Sequence, residues 1–252
     1  MRISAPHIGS FHPPSRILMG PGPSDVPRRI LDAMARPTIG HLDPAFTTMM
    51  EETKTLLRYA FQTENKLTFP VSGPGSVGME SCFVNLVEPG DKVIVCINGV
   101  FGGRMLENVK RCGGVPVVVE DAWGEAVDPA KVEAAFAANP DTKILAFVHA
   151  ETSTGALSDA ATLAAIARRH GALVILDCVT SLGGVPVLID EWDIDAAYSG
   201  SQKCLSCTPG ISPVTFGERA IDKVKTRKSP VQSWFMDLNL VLGYWSGEGK
   251  RT

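Results

Sequence analysis

LTFPVSGPGSVGMESCFVNLVEPGDKVIVCI, residues 67–97, sets two short apolar runs on either side of a glycine-rich turn, a stretch of helical length and a Pro-Gly turn. Runs such as LTFPV and KVIVCI are short and rich in β-branched residues, so they read as buried strands, and the segment between them reads as a crossover helix. The same alternation continues downstream. A helix through GRMLENVKRC ends at Gly113-Gly114, and VPVVVE follows as a strand. Asp128-Pro129 offers an N-cap with proline at the first helical position, opening PAKVEAAFAAN. Then come the strand KILAFVH, the helix ATLAAIARRH ending at Gly171, the strand ALVILD and a strand around AAYSG. Successive βα units of this kind predict an α/β fold with a mainly parallel sheet.

Outside this region the reading is helical. Ser24-Asp25 is placed to cap RRILDAMA, and AFTTMMEETKTLLRYAFQ is amphipathic. After Phe216 a helix ERAIDKVKTRK leads into SWFMDLNLVLGYW, which carries Trp234, Phe235, Tyr244 and Trp245 shortly before GEGKRT. So many aromatics call for cover from further structure, which predicts a C-terminal domain not contained in these residues. The Pro-, Gly- and Ser-rich start predicts an N-terminal arm over 1–24, followed by one large domain over 25–252.

The chain has 252 residues, 44% hydrophobic and 20% charged, enough apolar material for a large core. A formal net charge of -3 and the lack of a basic run argue against nucleic acid. No signal-peptide core and no apolar run of membrane-spanning length is visible, so the chain reads as soluble and cytoplasmic with no membrane partner. A peroxisomal address, which sits at a C-terminus, stays open. Cys82, Cys96, Cys112 and Cys178 lie in apolar segments and read as buried thiols. Cys204 and Cys207 form a C-x-x-C with no second pair and no nearby His, which disfavours zinc and gives only weak support to a redox role.

The glycine turn spells G-x-G-x-x-G at Gly73, Gly75 and Gly78. A dinucleotide fold would place such a turn in its first βα unit, with an acid about 20 residues on to hold the ribose. Here the residue twenty after Gly78 is Asn98, and Pro74 removes one loop amide. A single phosphate at a helix start explains the turn better than a pyrophosphate, although a plain structural turn fits these residues too.

In open α/β sheets ligands collect at the carboxyl ends of the strands. After LTFPV come Ser72 to Ser76, after KILAFVH come Glu151 to Thr154, after ALVIL comes Asp177, and after AAYSG come Ser201, Gln202 and Lys203. A phosphate cradle, hydroxyls, one carboxylate and one lysine at a single sheet edge are the parts that a pyridoxal phosphate site requires. Lys203 suits Schiff-base chemistry because it lies between apolar segments, and Asp177 is the acid placed to keep a pyridine nitrogen protonated. Gly75 and Ser76 supply amides for the phosphate. Taken singly, Asp177 could equally cap a turn and Lys203 could be a solvated charge; the joint spacing is what carries the reading.

The strings GPGPS (20–24), VSGPGSVGMES, EPGDKVIV, ETSTG (151–155), LDCVTSLGG (176–184) and YSGSQKCLSCTPG (198–210) together resemble the class V aminotransferases of the alanine-glyoxylate and serine-glyoxylate group. The resemblance runs over nearly the whole chain. SGSQK with an Asp 26 residues upstream is its most specific part, ETSTG supports it, and the glycine turn alone is weak. It implies a three-layer, fold type I large domain that binds pyridoxal 5'-phosphate and forms a homodimer with sites shared across the interface. Lys203 would hold the cofactor covalently and move the substrate proton, Asp177 would pair with the pyridinium, and Val179 would pack on the ring. Gly75, Ser76 and Gln202 would hold the phosphate, Thr152 would lie near the ring hydroxyl, and Phe101 would take the place of an aromatic, often Trp, stacked on the cofactor.

The resemblance also implies a later Tyr and Thr that reach the partner's phosphate and an Arg that grips the substrate carboxylate. These do not match any position of residues 1–252. The activity implied is transfer of the amino group of a small amino acid, alanine or serine, to glyoxylate, the 2-oxo acid. Ureidoglycine-glyoxylate transamination is the alternative within the fold, since its relatives share HLDPAF-like and TQKCLS-like segments. A cysteine desulfurase is disfavoured because no extra Cys stands in an exposed glycine-rich loop. From other classes, a cofactor-binding remnant without turnover and a nicotinamide-binding domain are the competing readings.

Overall fold

The computed structural model describes residues 7–245. The first six residues of the expected arm and the GEGKRT end lie outside the described residues. Seven strands form one sheet: β1 Leu67–Ser72, β2 Lys92–Ile97, β3 Val115–Glu120, β4 Ile144–Val148, β5 Leu173–Asp177, β6 Ala196–Tyr198 and β7 Ile211–Phe216, in the order β1-β7-β6-β5-β4-β2-β3. The pairs β3/β2, β2/β4, β4/β5 and β5/β6 are parallel, while β7 runs antiparallel to both β6 and β1. The α/β class and the mainly parallel sheet are as expected; β7 is a strand that the sequence reading passed over.

Burial on both faces explains why the central strands are unbroken apolar runs rather than alternating ones. On β2, Val93 and Val95 join one cluster and Ile94 and Cys96 the other. On β4, Ile144, Ala146 and Val148 face the first cluster, while Leu145 and Phe147 face the second. The first face is covered by α3 Gly75–Leu86, α4 Val100–Arg111, α7 Glu218–Lys225 and α8 Leu238–Trp245. The second is covered by α5 Pro129–Ala138, α6 Ala160–Arg169 and the end of α2 Pro44–Phe61. The result is three layers. Each fully buried Leu, Ile, Val or Phe contributes about 1.5–3 kcal/mol, and the four predicted thiols, Cys82, Cys96, Cys112 and Cys178, are buried in these layers.

The helix signals hold in part. As expected, Asp128 caps α5 through Ala130 N with Pro129 at its first position; α6 has a cap not singled out in the sequence, Asp159, which accepts from Thr162 N. The Ser24-Asp25 cap is a correction: α1, Arg28–Met34, starts from Pro27, whose φ of -56° is already fixed, and no side chain caps it. Near the other end Trp245 stacks on Phe69 with ring centroids 5.5 Å apart, so part of the aromatic run packs against the sheet. Trp234 and Phe235 stay exposed, at 82% and 56%.

Candidate active site

At the carboxyl edge of the parallel strands the first element is the start of α3. Pro74 precedes it without a capping side chain, so the Gly75 and Ser76 amides open the helix with no i-4 acceptor. Gly75 is glycine for want of space. A Cβ there would stand 3.2 Å from Val179 Cγ2 and 3.6 Å from both Gly200 Cα and Ser199 O. On Gly200 a Cβ would stand 3.2 Å from Gln202 Oε1 and 3.6 Å from Gly75 N. The fold thus gathers the backbones of Gly75 and Gly200 with the side chains of Val179 and Gln202 into one tight corner. Ser76 is exposed beside them and lines the cleft between α3 and α4 together with Arg104.

Asp177 ends β5 at 1% exposure. Its Oδ1 accepts from Val179 N at 2.9 Å, and its Oδ2 accepts from the Tyr198 hydroxyl at 2.8 Å. Burial pushes its carboxyl up to about 7; the two hydrogen bonds oppose that, and the charge of Glu151 adds to it. Among the described residues no basic side chain contributes to holding the charge. Burial likewise raises the Tyr198 hydroxyl well above its ordinary value, so it stays a donor.

Lys203 is half-buried in the loop after β6, and its Nζ donates to the carbonyl of Gly22 at 3.4 Å. Gly22 has a φ of +119°, and a Cβ on it would lie 2.6 Å from Lys203 Cδ and 2.7 Å from Gln202 O. The N-terminal segment therefore reaches the lysine of its own chain. Thr152 Oγ1 lies 3.1 Å from Thr180 Oγ1. Thr180 spends its proton on Ala150 O at 2.6 Å, so Thr152 donates to Thr180. Phe101, at the start of α4, packs against the first core cluster, and the Arg104 guanidinium lies 4.6 Å from its ring centroid.

All eight expected site residues thus lie along one edge: Gly75, Ser76, Phe101, Thr152, Asp177, Val179, Gln202 and Lys203. The sequence reading gave no role to Tyr198 or Gly22 and left Glu151 as one polar residue among several. The parallel register Asp177↔Tyr198 puts both side chains on one face, a signal open to anyone who pairs the strands. Gly22 lies in GPGPS, a string in which nothing points to contact with Lys203.

A cofactor with a phosphate and a basic ring nitrogen fits these residues. Gln202 Oε1 is buried without a hydrogen-bond partner beside the Gly75 amide, and turning the side-chain amide over presents its NH₂ at the same point. Asp177 is a buried carboxyl with two donors and, among the described residues, no cation paired with it. Among the described residues no group of three His, Cys, Asp or Glu side chains could hold a metal ion, and no helix is long and apolar enough to cross a membrane.

The profile of the aminotransferase class-V family matches residues 17–230. The alanine-glyoxylate aminotransferase of Drosophila melanogaster is 38% identical over 237 residues, covering 94% of this chain and 60% of that protein. The (S)-ureidoglycine-glyoxylate transaminase of Bacillus subtilis is 37% identical over 251 residues, covering 92% and 60%. Among solved structures, an alanine-glyoxylate aminotransferase from Nostoc sp. superposes with a TM-score of 0.94 at 44% identity, over 98% of this chain and 64% of that one. The chain spans about 60% of the length of these curated relatives.

Proposed function

The chain belongs to the class V aminotransferases, and from that premise we propose that it contributes the cofactor-binding part of a pyridoxal-phosphate enzyme that moves the amino group of alanine or serine to glyoxylate. The observation that carries the proposal is Asp177, a buried carboxyl held by Tyr198 and Val179 at the same edge as the Gly75–Gln202 corner and Lys203. When bound, pyridoxal phosphate supplies an aldehyde that condenses with amines and a ring that draws electrons from the adjoining carbon.

The chain's own residues do the rest. Gly75 N and Ser76 N, at the positive end of α3, and Gln202 hold the phosphate. Asp177, with its side chain fixed by Tyr198 and Val179 N, holds a proton on the ring nitrogen. Val179 and Phe101 would pack on the ring, and Thr152 would lie near its hydroxyl. Lys203 would hold the cofactor through its Nζ and, when that amine is free, would take and return a proton there; the Gly22 carbonyl accepts from that nitrogen in the cofactor-free chain.

A second reading keeps glyoxylate as acceptor and takes (S)-ureidoglycine as donor, supported by the near-equal likeness to the Bacillus subtilis transaminase. Both readings share one test of the cofactor. The visible spectrum of the purified protein with pyridoxal phosphate is recorded beside Lys203→Ala, each followed by borohydride and peptide mass mapping. A band in the parent alone with phosphopyridoxyl fixed on Lys203 is expected; an equal adduct pattern in the variant overturns the assignment. Glycine formation from glyoxylate with alanine, serine or ureidoglycine then separates the donors. A bound cofactor with no transfer from any of them would favour a non-catalytic binding role.

A further inference from the structure

Glu151 is 0% exposed, an unusual place for a carboxylate, and the hydrogen bonds of its side chain run to the start of α4 and to Ser153. Its Oε2 accepts from Phe101 N at 3.1 Å and from Gly102 N at 3.4 Å. Its Oε1 accepts from Ser153 N at 3.1 Å and Ser153 Oγ at 2.7 Å, and Ser153 Oγ in turn accepts from Val100 N at 3.0 Å. The first three amides of α4 are therefore bound by a Glu-Thr-Ser turn that follows β4. Between them, Thr152 is the residue whose hydroxyl meets Thr180 beside Val179.

Gly99 makes room for this arrangement. Its φ of 171° is ordinary extended backbone, so conformational freedom does not explain the glycine. Space does: a Cβ would lie 2.3 Å from Glu151 Cγ, 2.5 Å from its Cδ and 2.6 Å from Ser153 Oγ. The carboxylate is wedged against backbone on one side and receives only donors on the other.

We propose that Glu151 is a positioning residue of the cofactor site, a buried clamp whose carboxylate fixes Phe101 and Thr152 relative to one another and so sets where the two ring-contacting side chains stand. The inference rests on the cofactor reading above. It goes beyond helix capping because the clamp joins the helix that carries Phe101 to the turn that carries Thr152. Removing the negative charge also removes one of the influences that, after burial, hold Asp177 up.

Two variants reach the clamp by different routes. Glu151→Gln keeps the volume but turns an NH₂ group against either the Phe101 and Gly102 amides or Ser153, donor facing donor. Gly99→Ala leaves every charge in place and drives the carboxylate out by occupancy alone. Amide hydrogen exchange of Val100 to Gly102, without cofactor, is expected to rise at least about tenfold in both variants with β5 unchanged. Affinity for pyridoxal phosphate is expected to fall at least about tenfold, with a weakened circular-dichroism band of the bound cofactor. Phe101→Ala added to either variant is expected to cost little more, because the clamp acts through that ring.

Unchanged exchange overturns the proposal. So does loosened exchange with unaltered cofactor affinity, which would leave Glu151 a cap only, and so do fully additive losses with Phe101→Ala. Failure of the parent to attach the cofactor at Lys203 would overturn the functional reading instead, and the exchange measurement would still decide whether Glu151 holds Phe101.

Discussion

At Asp177 the fold and the chemistry pull in opposite directions. In the unfolded chain an aspartate titrates near its ordinary value, whereas burial in the folded chain pushes this carboxyl up to about 7. The folded state therefore binds the proton more tightly, and stability falls as pH rises from the unfolded value through about 7. The loss is on the order of 4 kcal/mol when no cofactor is present. Chemical denaturation of the cofactor-free protein between pH 4.5 and 7.5 should show this decline, and Asp177→Asn should flatten it. A parent whose stability rises steadily over that range would show that Asp177 is charged at low pH and held by something else. Bound cofactor should remove the decline, because a protonated ring nitrogen pairs with the charged form. The positions of Asp177, at the end of a strand-like run, and of Lys203, in the loop after the next one, were legible in the sequence, and their roles are the proposal made above. Tyr198 was not, since its hydroxyl matters only once β5 and β6 are paired in register.

Among the elements, the turn between α3 and β2 holds the end of the domain. Glu88 accepts from Lys223 Nζ at 2.9 Å, from Lys228 N at 2.7 Å, and from Ser229 N and Oγ, both at 3.0 Å. Arg227 adds bonds to the carbonyls of Asn85 and Val87 at 2.8 and 3.1 Å. Burial works to raise Glu88, but these donors outweigh it and hold the carboxyl down at about 2. The sign here is opposite to that at Asp177: the contribution is full above the unfolded value and is lost as pH falls toward about 2. Glu88→Gln should cost about 1.5–3 kcal/mol at neutral pH and should release the segment after α7 to proteolysis before the sheet unfolds. A variant with parent stability and parent cleavage kinetics would show that α7 is held by its apolar face alone. The same scale explains the strand that sequence missed. β7, ISPVTF, carries Pro213 and follows the Pro209-Gly210 turn, local signs against a strand. Tertiary pairing overrides them. Pro213 sits opposite Pro70 of β1, in a register that places the two residues lacking an N-H face to face. Helices α5 and α6 needed no such help, because their periodicity is local and so are the Asp128 and Asp159 side chains that cap them.

For the molecule as a whole, much apolar surface remains in water. Phe11, Ile17 and Met19 on the N-terminal segment are 83%, 84% and 88% exposed; Leu56 and Tyr59 on α2 are 67% and 75% exposed. Single exposed apolar residues need no explanation, but here they recur along the segment that precedes α1 and along the outer face of α2. Gly22, by contrast, is tied to Lys203 within the chain. We propose that residues 1–24 form an arm anchored at its inner end on the lysine loop and laid with its outer part on a second copy, and that residues 25–252 form the body. A stable dimer of this sort buries roughly 1,200–2,000 Å² or more. Because the surfaces offered are apolar rather than charged, the association should depend only weakly on salt. Sedimentation velocity of the cofactor-loaded protein at micromolar concentration should find a dimer, at low and high salt alike. Phe11→Ser with Ile17→Ser should weaken that dimer while leaving attachment of pyridoxal phosphate at Lys203 intact. A cofactor-loaded monomer in the parent would count against the dimer, and an unchanged dimer in the double variant would remove the arm from the interface and leave α2 as the surface to test.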